Sequence, residues 1–204
     1  MTDTATLVPE APYPDEPHRT STPVSNEKMA MWAFLGSETL LFGALISSYL
    51  LLRGRSVDGT QPSDLFDIPF TSVSTFVLLM SSLTMVLAVS AAKRDEQKRV
   101  QLWLLTTALL GSVFIAGQIY EFTTFYNEGL GFTTNIFASA FYTLTGFHGV
   151  HVSVGIIMLL SLFTLALRGK IGSGNAEVIE IAGLYWHFVD VVWIIIFTVV
   201  YLID

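Results

Sequence analysis

An all-α bundle of five membrane-spanning helices is the fold this sequence predicts, and three observations predict it. Mean hydropathy is +0.59. Charged residues make up 13% of the 204, against roughly 25% in a soluble domain, and they collect in a tail and short loops. Five apolar runs, at about 29–52, 70–92, 100–122, 136–167 and 180–203, each reach the roughly 20 residues that cross a bilayer at 1.5 Å per residue.

Residues 1–28 precede the runs and hold five of the seven prolines, mixed with acids, Ser and Thr and without an apolar period. That composition predicts a disordered tail ahead of a transmembrane domain over 29–204. No cleavable signal peptide is expected, because the first long apolar run starts near Met29 and continues as a full span. In that run Gly36, Gly43 and Ser47 are spaced by seven and then four residues, a small-residue face suited to close helix contact. Pro62 and Pro69 bound the entry to the second run, where Thr71, Ser74, Thr75, Ser81 and Ser82 form a hydroxyl seam. The third follows the basic stretch Lys93 to Arg99. The fourth is longer than a bilayer needs and must tilt or protrude, with Asn135 as its N-cap. Gly172 to Asn175 form a loop before the fifth.

Lys and Arg set the orientation. One side carries Arg19, Lys28, Lys93, Arg94, Lys98, Arg99, Arg168 and Lys170; the other carries only Arg53 and Arg55. Eight against two predicts a cytoplasmic N-terminus and an outer C-terminus. Trp32 and Trp103 fall near inner ends of spans, and Tyr49, Tyr120 and Tyr201 near outer ends.

Several function classes are excluded. With no cysteine there is no disulfide, thiolate metal site, iron–sulfur cluster or cysteine nucleophile. No phosphate-binding loop, nucleophile elbow, zinc-hydrolase pattern or dinucleotide fingerprint is present, and catalytic residues are not expected. The basic stretch satisfies the orientation rule and needs no nucleic-acid partner; it is suited to touch anionic lipid. Much of the net charge of −7 lies in the tail, and it identifies no partner.

What remains is an ionisable set inside the apolar runs: Glu38, Glu121, His148, His151, His187 and Asp190. Such groups are costly in lipid and are functional candidates by default. Glu38 lies about 14 Å along the first helix if Met29 begins it. It is either a proton-exchanging group, a polar anchor for a lipid head group or neighbouring helix, or a neutral acid bonded to a hydroxyl such as Ser37. His148 and His151 are three residues apart, as are His187 and Asp190, so each pair shares a helix face. Three histidines near one depth are able to ligate a metal or haem. The competing account, which carries the expectation of no metal here, is a hydrogen-bonded network in which Asp190 holds an imidazole or contacts a neighbouring helix. Glu121 is expected at a wetted helix end.

The motifs resemble subunit III of haem–copper terminal oxidases in its short five-helix bacterial form. The resemblance covers roughly 28–204. It rests on Trp32 to Phe42 with Ser37-Glu38, on Gln118-Ile119-Tyr120-Glu121-Phe122, on Phe141 to Val152 around Gly146-Phe147-His148-Gly149-Val150-His151, and on Tyr185 to Trp193. It implies a non-catalytic accessory subunit that packs against subunit I, within a complex whose haem and copper belong to subunits I and II. It further implies a V-shaped cleft binding phospholipid, support of proton uptake in aerobic respiration, and protection from inactivation during turnover. Glu38 matches the family's carbodiimide-reactive carboxylate. The larger members' two extra N-terminal helices are missing, so lipid contacts made by them do not carry over. Because Glu38 is kept, the resemblance implies cytochrome c as electron donor, with a quinol oxidase as the alternative. A stand-alone proton or ion carrier is the reading from another class. It is disfavoured because there is no internal repeat and no proline inside a span. The location implied is the bacterial inner (plasma) membrane.

Overall fold

The computed structural model describes residues 24–55, 67–171 and 175–203. Five helices account for most of them: α1 Asn26–Leu52, α2 Ile68–Lys93, α3 Gln97–Asn127, α4 Ile136–Leu167 and α5 Ala176–Phe197, the last continued by a π-helical turn, Thr198–Leu202. All five are long and apolar enough to cross a membrane, and there is no strand among the described residues. Most of the tail, with Pro62 and the Gly172 to Gly174 loop, lies outside the described residues.

Polar side chains fix where the helices start. Ser25 Oγ accepts from Lys28 N, Asp67 Oδ1 from Phe70 N, and Asn135 Oδ1 from Ala138 N at 2.7 Å. Each satisfies a backbone N–H that has no partner within its helix. Pro69 falls in the first turn of α2, where its missing N–H costs nothing. α3 outruns its apolar stretch by several residues at the C-terminal end. There Thr123 and Thr124 turn their hydroxyls back to the carbonyls of Ile119 and Tyr120 four residues earlier.

α2 and α3 form the closest pair, α3 packs on α4, and α5 lies against α2 and α4. α1 is the least enclosed helix and rests only on α4 and α5 as substantial neighbours. Polar ties hold it at both ends. Ser25 Oγ donates to Glu177, Lys28 Nζ sits 2.7 Å from Glu180, and Arg53 Nη1 donates to the Ile203 carbonyl at 2.8 Å.

The α2 hydroxyl seam is an interhelical surface. Trp186 Nε1 donates to Ser81 Oγ and Trp193 Nε1 to Thr75 Oγ1, both at 2.9 Å. Ser82 bonds His187, Thr71 bonds Glu121, and Ser74 fills the space over Gly117. Thr84 adds a 2.8 Å bond to Thr107 of α3. The small-residue face of α1 behaves differently. Among the described residues, a Cβ placed on Gly36 or Gly43 would meet nothing within 4 Å, so this face makes no close contact with them. The close approach occurs at Gly111 and Gly155 instead. Trp186 of α5 is fully buried, and its ring fills the space where a Cβ would stand on either glycine.

Candidate functional site

The six ionisable residues separate into three sites. The first joins α1 to α4. His151 Nε2 lies 3.1 Å from Glu38 Oε2, and His151 Nδ1 lies 2.8 Å from the Phe147 carbonyl oxygen of its own helix. A carbonyl only accepts, so Nδ1 carries a hydrogen. The Nε2–Oε2 contact then contains one proton, held by the imidazole in an ion pair or by the carboxyl in a neutral pair. Both forms have zero net charge, which is how a carboxylic acid is accommodated at this depth. The edge of Phe42 stands 5.0 Å from the His151 ring, and the Tyr185 hydroxyl donates to the His151 carbonyl at 2.9 Å. Glu38 and His151 keep 15% side-chain exposure each. Glu38 thus bonds a neighbouring helix, and the Ser37 hydroxyl donates to the Phe34 carbonyl.

His148, one turn before His151, has a different environment. It is fully buried, stacked on Trp193 at 4.9 Å, with Phe114 and Phe42 at its edges, and neither nitrogen has a hydrogen-bond partner. It is a packing element between α3, α4 and α5. Sharing a helix face with His151 does not give the two histidines shared partners.

The second site lies between α2 and α5. His187 Nδ1 is 2.6 Å from Ser82 Oγ. Asp190 is 2% exposed, and neither of its oxygens has a hydrogen-bond partner. The Ser82 hydroxyl bonds His187 instead. Asp190 therefore does not hold an imidazole directly. Three residues on a helix align two side chains on one face, but the partner is set by α2, which inserts Ser82 beside His187.

The third site corrects the expectation for Glu121. Instead of a wetted helix end, Glu121 is a buried hub, 6% exposed. Thr71 Oγ1 and the Tyr201 hydroxyl donate to Oε1 at 2.9 and 3.1 Å, and Gln118 Nε2 donates to Oε2 at 3.1 Å. The donors come from α2, α3 and the π-helical turn. Two causes bury it: α3 runs on to Asn127, so residue 121 is not terminal, and the first turn of α2 and the last turn of the chain close over it. Gln118, three residues before Glu121, was a visible signal; Thr71 and Tyr201 were not. Among the described residues, no three His, Asp or Glu side chains converge as a metal site.

The family model described as cytochrome c oxidase subunit III matches residues 17–204, which takes in all five helices and all three sites. The chain belongs to the cytochrome c oxidase subunit III family. It is 44% identical over 191 residues to cytochrome c oxidase subunit 3 of Bacillus sp. (strain PS3), covering 93% of this chain and 92% of that protein. It is 42% identical to cytochrome c oxidase subunit 3 of Alkalihalophilus pseudofirmus over the same shares of the two chains. It is also 41% identical over 178 residues to the probable quinol oxidase subunit 3 of Staphylococcus saprophyticus, covering 86% and 88%. The chain is therefore a subunit III of a haem–copper oxidase, a multi-pass protein of the plasma membrane. The resemblance read from the segment around Glu38, from Gln118 to Phe122, from the two-histidine segment and from the closing Tyr185 to Trp193 segment stands.

Proposed function

We propose that the chain is the accessory, non-catalytic subunit III of a cytochrome c oxidase, and that it steadies the catalytic subunit and its proton uptake while electrons pass elsewhere. The observation that carries this reading is the separation of the three sites. His151 is engaged by Glu38 and Phe147, His187 by Ser82, and His148 is enclosed by aromatic rings, so the histidines share no centre that would accept a haem or copper ion. In this reading those groups sit in subunits I and II. The grooves beside α5, one towards α1 and one towards α2, are the best candidates for the family's lipid cleft; apolar side chains line them, with Lys93 at one end. The amino terminus is cytoplasmic, as the eight-to-two Lys and Arg asymmetry supports.

A quinol oxidase is the second reading, favoured by the similarity to the Staphylococcus protein. Reduced cytochrome c and a reduced quinol, offered separately to the purified complex, distinguish the two.

The functional test follows oxygen consumption over many turnovers with and without this subunit. The initial rate should be nearly preserved in the depleted complex, with activity then falling progressively. Immediate loss of the initial rate would argue for a direct catalytic part, and undiminished activity throughout would argue for dispensable packing.

A hydrophobic carbodiimide should label Glu38 first. The reagent dissolves in lipid and needs a protonated carboxyl, which the neutral form of the Glu38–His151 pair presents at a partly open position. Asp190 and Glu121 are enclosed. Peptide mapping by mass spectrometry that found either of these labelled before Glu38 would overturn this.

A further inference from the structure

The hydrogen bonds around Glu121 are one hydrogen short. Thr71 Oγ1 lies 2.9 Å and the Tyr201 hydroxyl 3.1 Å from Oε1, and Gln118 Nε2 lies 3.1 Å from Oε2. Thr71 Oγ1 also lies 3.1 Å from the Asp67 carbonyl oxygen. Tyr201 and Gln118 each fill their own contact, but Thr71 has a single hydroxyl hydrogen for two acceptors. With Glu121 as a carboxylate, that hydrogen goes to Oε1. The Asp67 carbonyl keeps the Thr71 N–H, yet its contact with the Thr71 hydroxyl is then left without a hydrogen. One proton on Oε1 completes the set. The carboxyl donates to Thr71 Oγ1, and Thr71 turns its own hydrogen to the Asp67 carbonyl. Oε1 still accepts from Tyr201 and Oε2 from Gln118.

The surroundings offer a carboxylate no counter-charge. Among the described residues, Glu38 has His151, Glu96 has Arg94 and Arg99, and Glu180 has Lys28 and Lys93. Glu121 is 6% exposed and has only neutral donors. The charged and titratable groups at this end of the bundle are engaged elsewhere or have the wrong sign. Arg53 of α1 donates to the Ile203 carbonyl, and Tyr49 of α1 packs on Phe137. Asp67 is itself acidic and caps α2 through Phe70 N. Tyr142 of α4 donates to the Leu130 carbonyl. A buried charge without a counter-ion is costly, and a proton removes that cost.

We propose that Glu121 is a proton-binding site, held as a neutral acid that donates to Thr71. The ligand is one proton from water, and the only bond formed is its O–H bond to Oε1. Because Thr71 has a second acceptor, the site takes up and releases this proton without breaking the contact between α2 and α3. Only the Thr71 hydrogen turns. The Glu38 proton differs, since it is shared with a basic partner, His151. The inference uses only side chains of this chain and is independent of the oxidase reading.

Infrared spectroscopy of the intact complex carrying this subunit is the test. It is run at about pH 6 and about pH 8, both above the value of about 4.3 at which an ordinary glutamate ionises. Glu121 should contribute a protonated-carboxyl band at both. The band should vanish in Glu121→Gln, whose amide accepts from Tyr201 and donates to Thr71 and so keeps the hub assembled. It should be displaced in Thr71→Val, which removes the acceptor of the acid hydrogen, and stay in place in Thr71→Ser, which retains it. A carboxyl region identical in wild type and Glu121→Gln would overturn the proton site. A band lost in Glu121→Gln but unmoved in Thr71→Val would overturn the bond to Thr71. If Glu121→Gln fails to assemble, the two Thr71 variants decide: absence of any band displaced by Thr71→Val and kept by Thr71→Ser would overturn the proposal.

Discussion

Replacing Gly111 by alanine should destabilise the bundle by about 1–3 kcal/mol, the usual cost of an added methyl in a filled core, and Gly155→Ala should do the same. The new Cβ at residue 111 would stand 2.6 and 2.9 Å from two Trp186 ring carbons, and at residue 155 it would stand 2.8 and 2.9 Å from two others. The ring cannot turn aside, because its Nε1 is tied to Ser81 and both of its faces are enclosed. In lipid the effect is exposed rather than masked. Helix association there depends on fit and interhelical hydrogen bonds, with no hydrophobic gain between helices to offset a clash. The midpoint of unfolding in detergent should fall in each variant, and Trp186→Phe should recover part of the loss in Gly111→Ala. A midpoint unchanged by either alanine would show that the indole does not sit between α3 and α4.

Glu121 should be the most costly carboxyl to replace by an apolar side chain. Glu121→Leu removes the acceptor of Thr71, Gln118 and Tyr201 at once. A buried donor that loses its acceptor costs about 1–3 kcal/mol; Thr71 keeps the Asp67 carbonyl, but the bonds that tie the first turn of α2 and the π-helical turn to α3 are lost. Glu121→Gln keeps an acceptor oxygen and should cost much less. Unfolding midpoints and protease resistance near Tyr201 measure the difference. Equal stability of the two variants would mean that Glu121 is not the hub its geometry describes.

The number and order of the helices could be read from the chain because hydropathy and length are local properties. So could the start of α4 at Asn135 and the hydroxyl seam of α2, where Thr71, Ser74, Thr75, Ser81 and Ser82 all meet a neighbouring helix. What could not be read is which partner meets which face. Gly36 and Gly43 announce a close approach without saying whether the approaching group belongs to the same chain, and among the described residues nothing approaches them. Gly111 and Gly155 carry no local mark. Their role depends on a tryptophan from a third helix. The three-residue spacing of His148 and His151 shows a shared face, but only the position of α1 gives His151 a carboxylate and leaves His148 among rings. The burial of Glu121 is not legible in the sequence because an apolar run ends near it while α3 continues to Asn127.

In the proposed function this chain works only as part of a haem–copper oxidase and carries no redox centre itself. Isolation from its native membrane in mild detergent tests it most directly, with the subunits identified by mass spectrometry and the haem and copper content measured before and after this subunit is released. The account predicts co-isolation with larger chains that retain all the haem and copper, and a released subunit III with no haem absorbance. Haem bound stoichiometrically to the released chain, or a homo-oligomer active without partners, would contradict it.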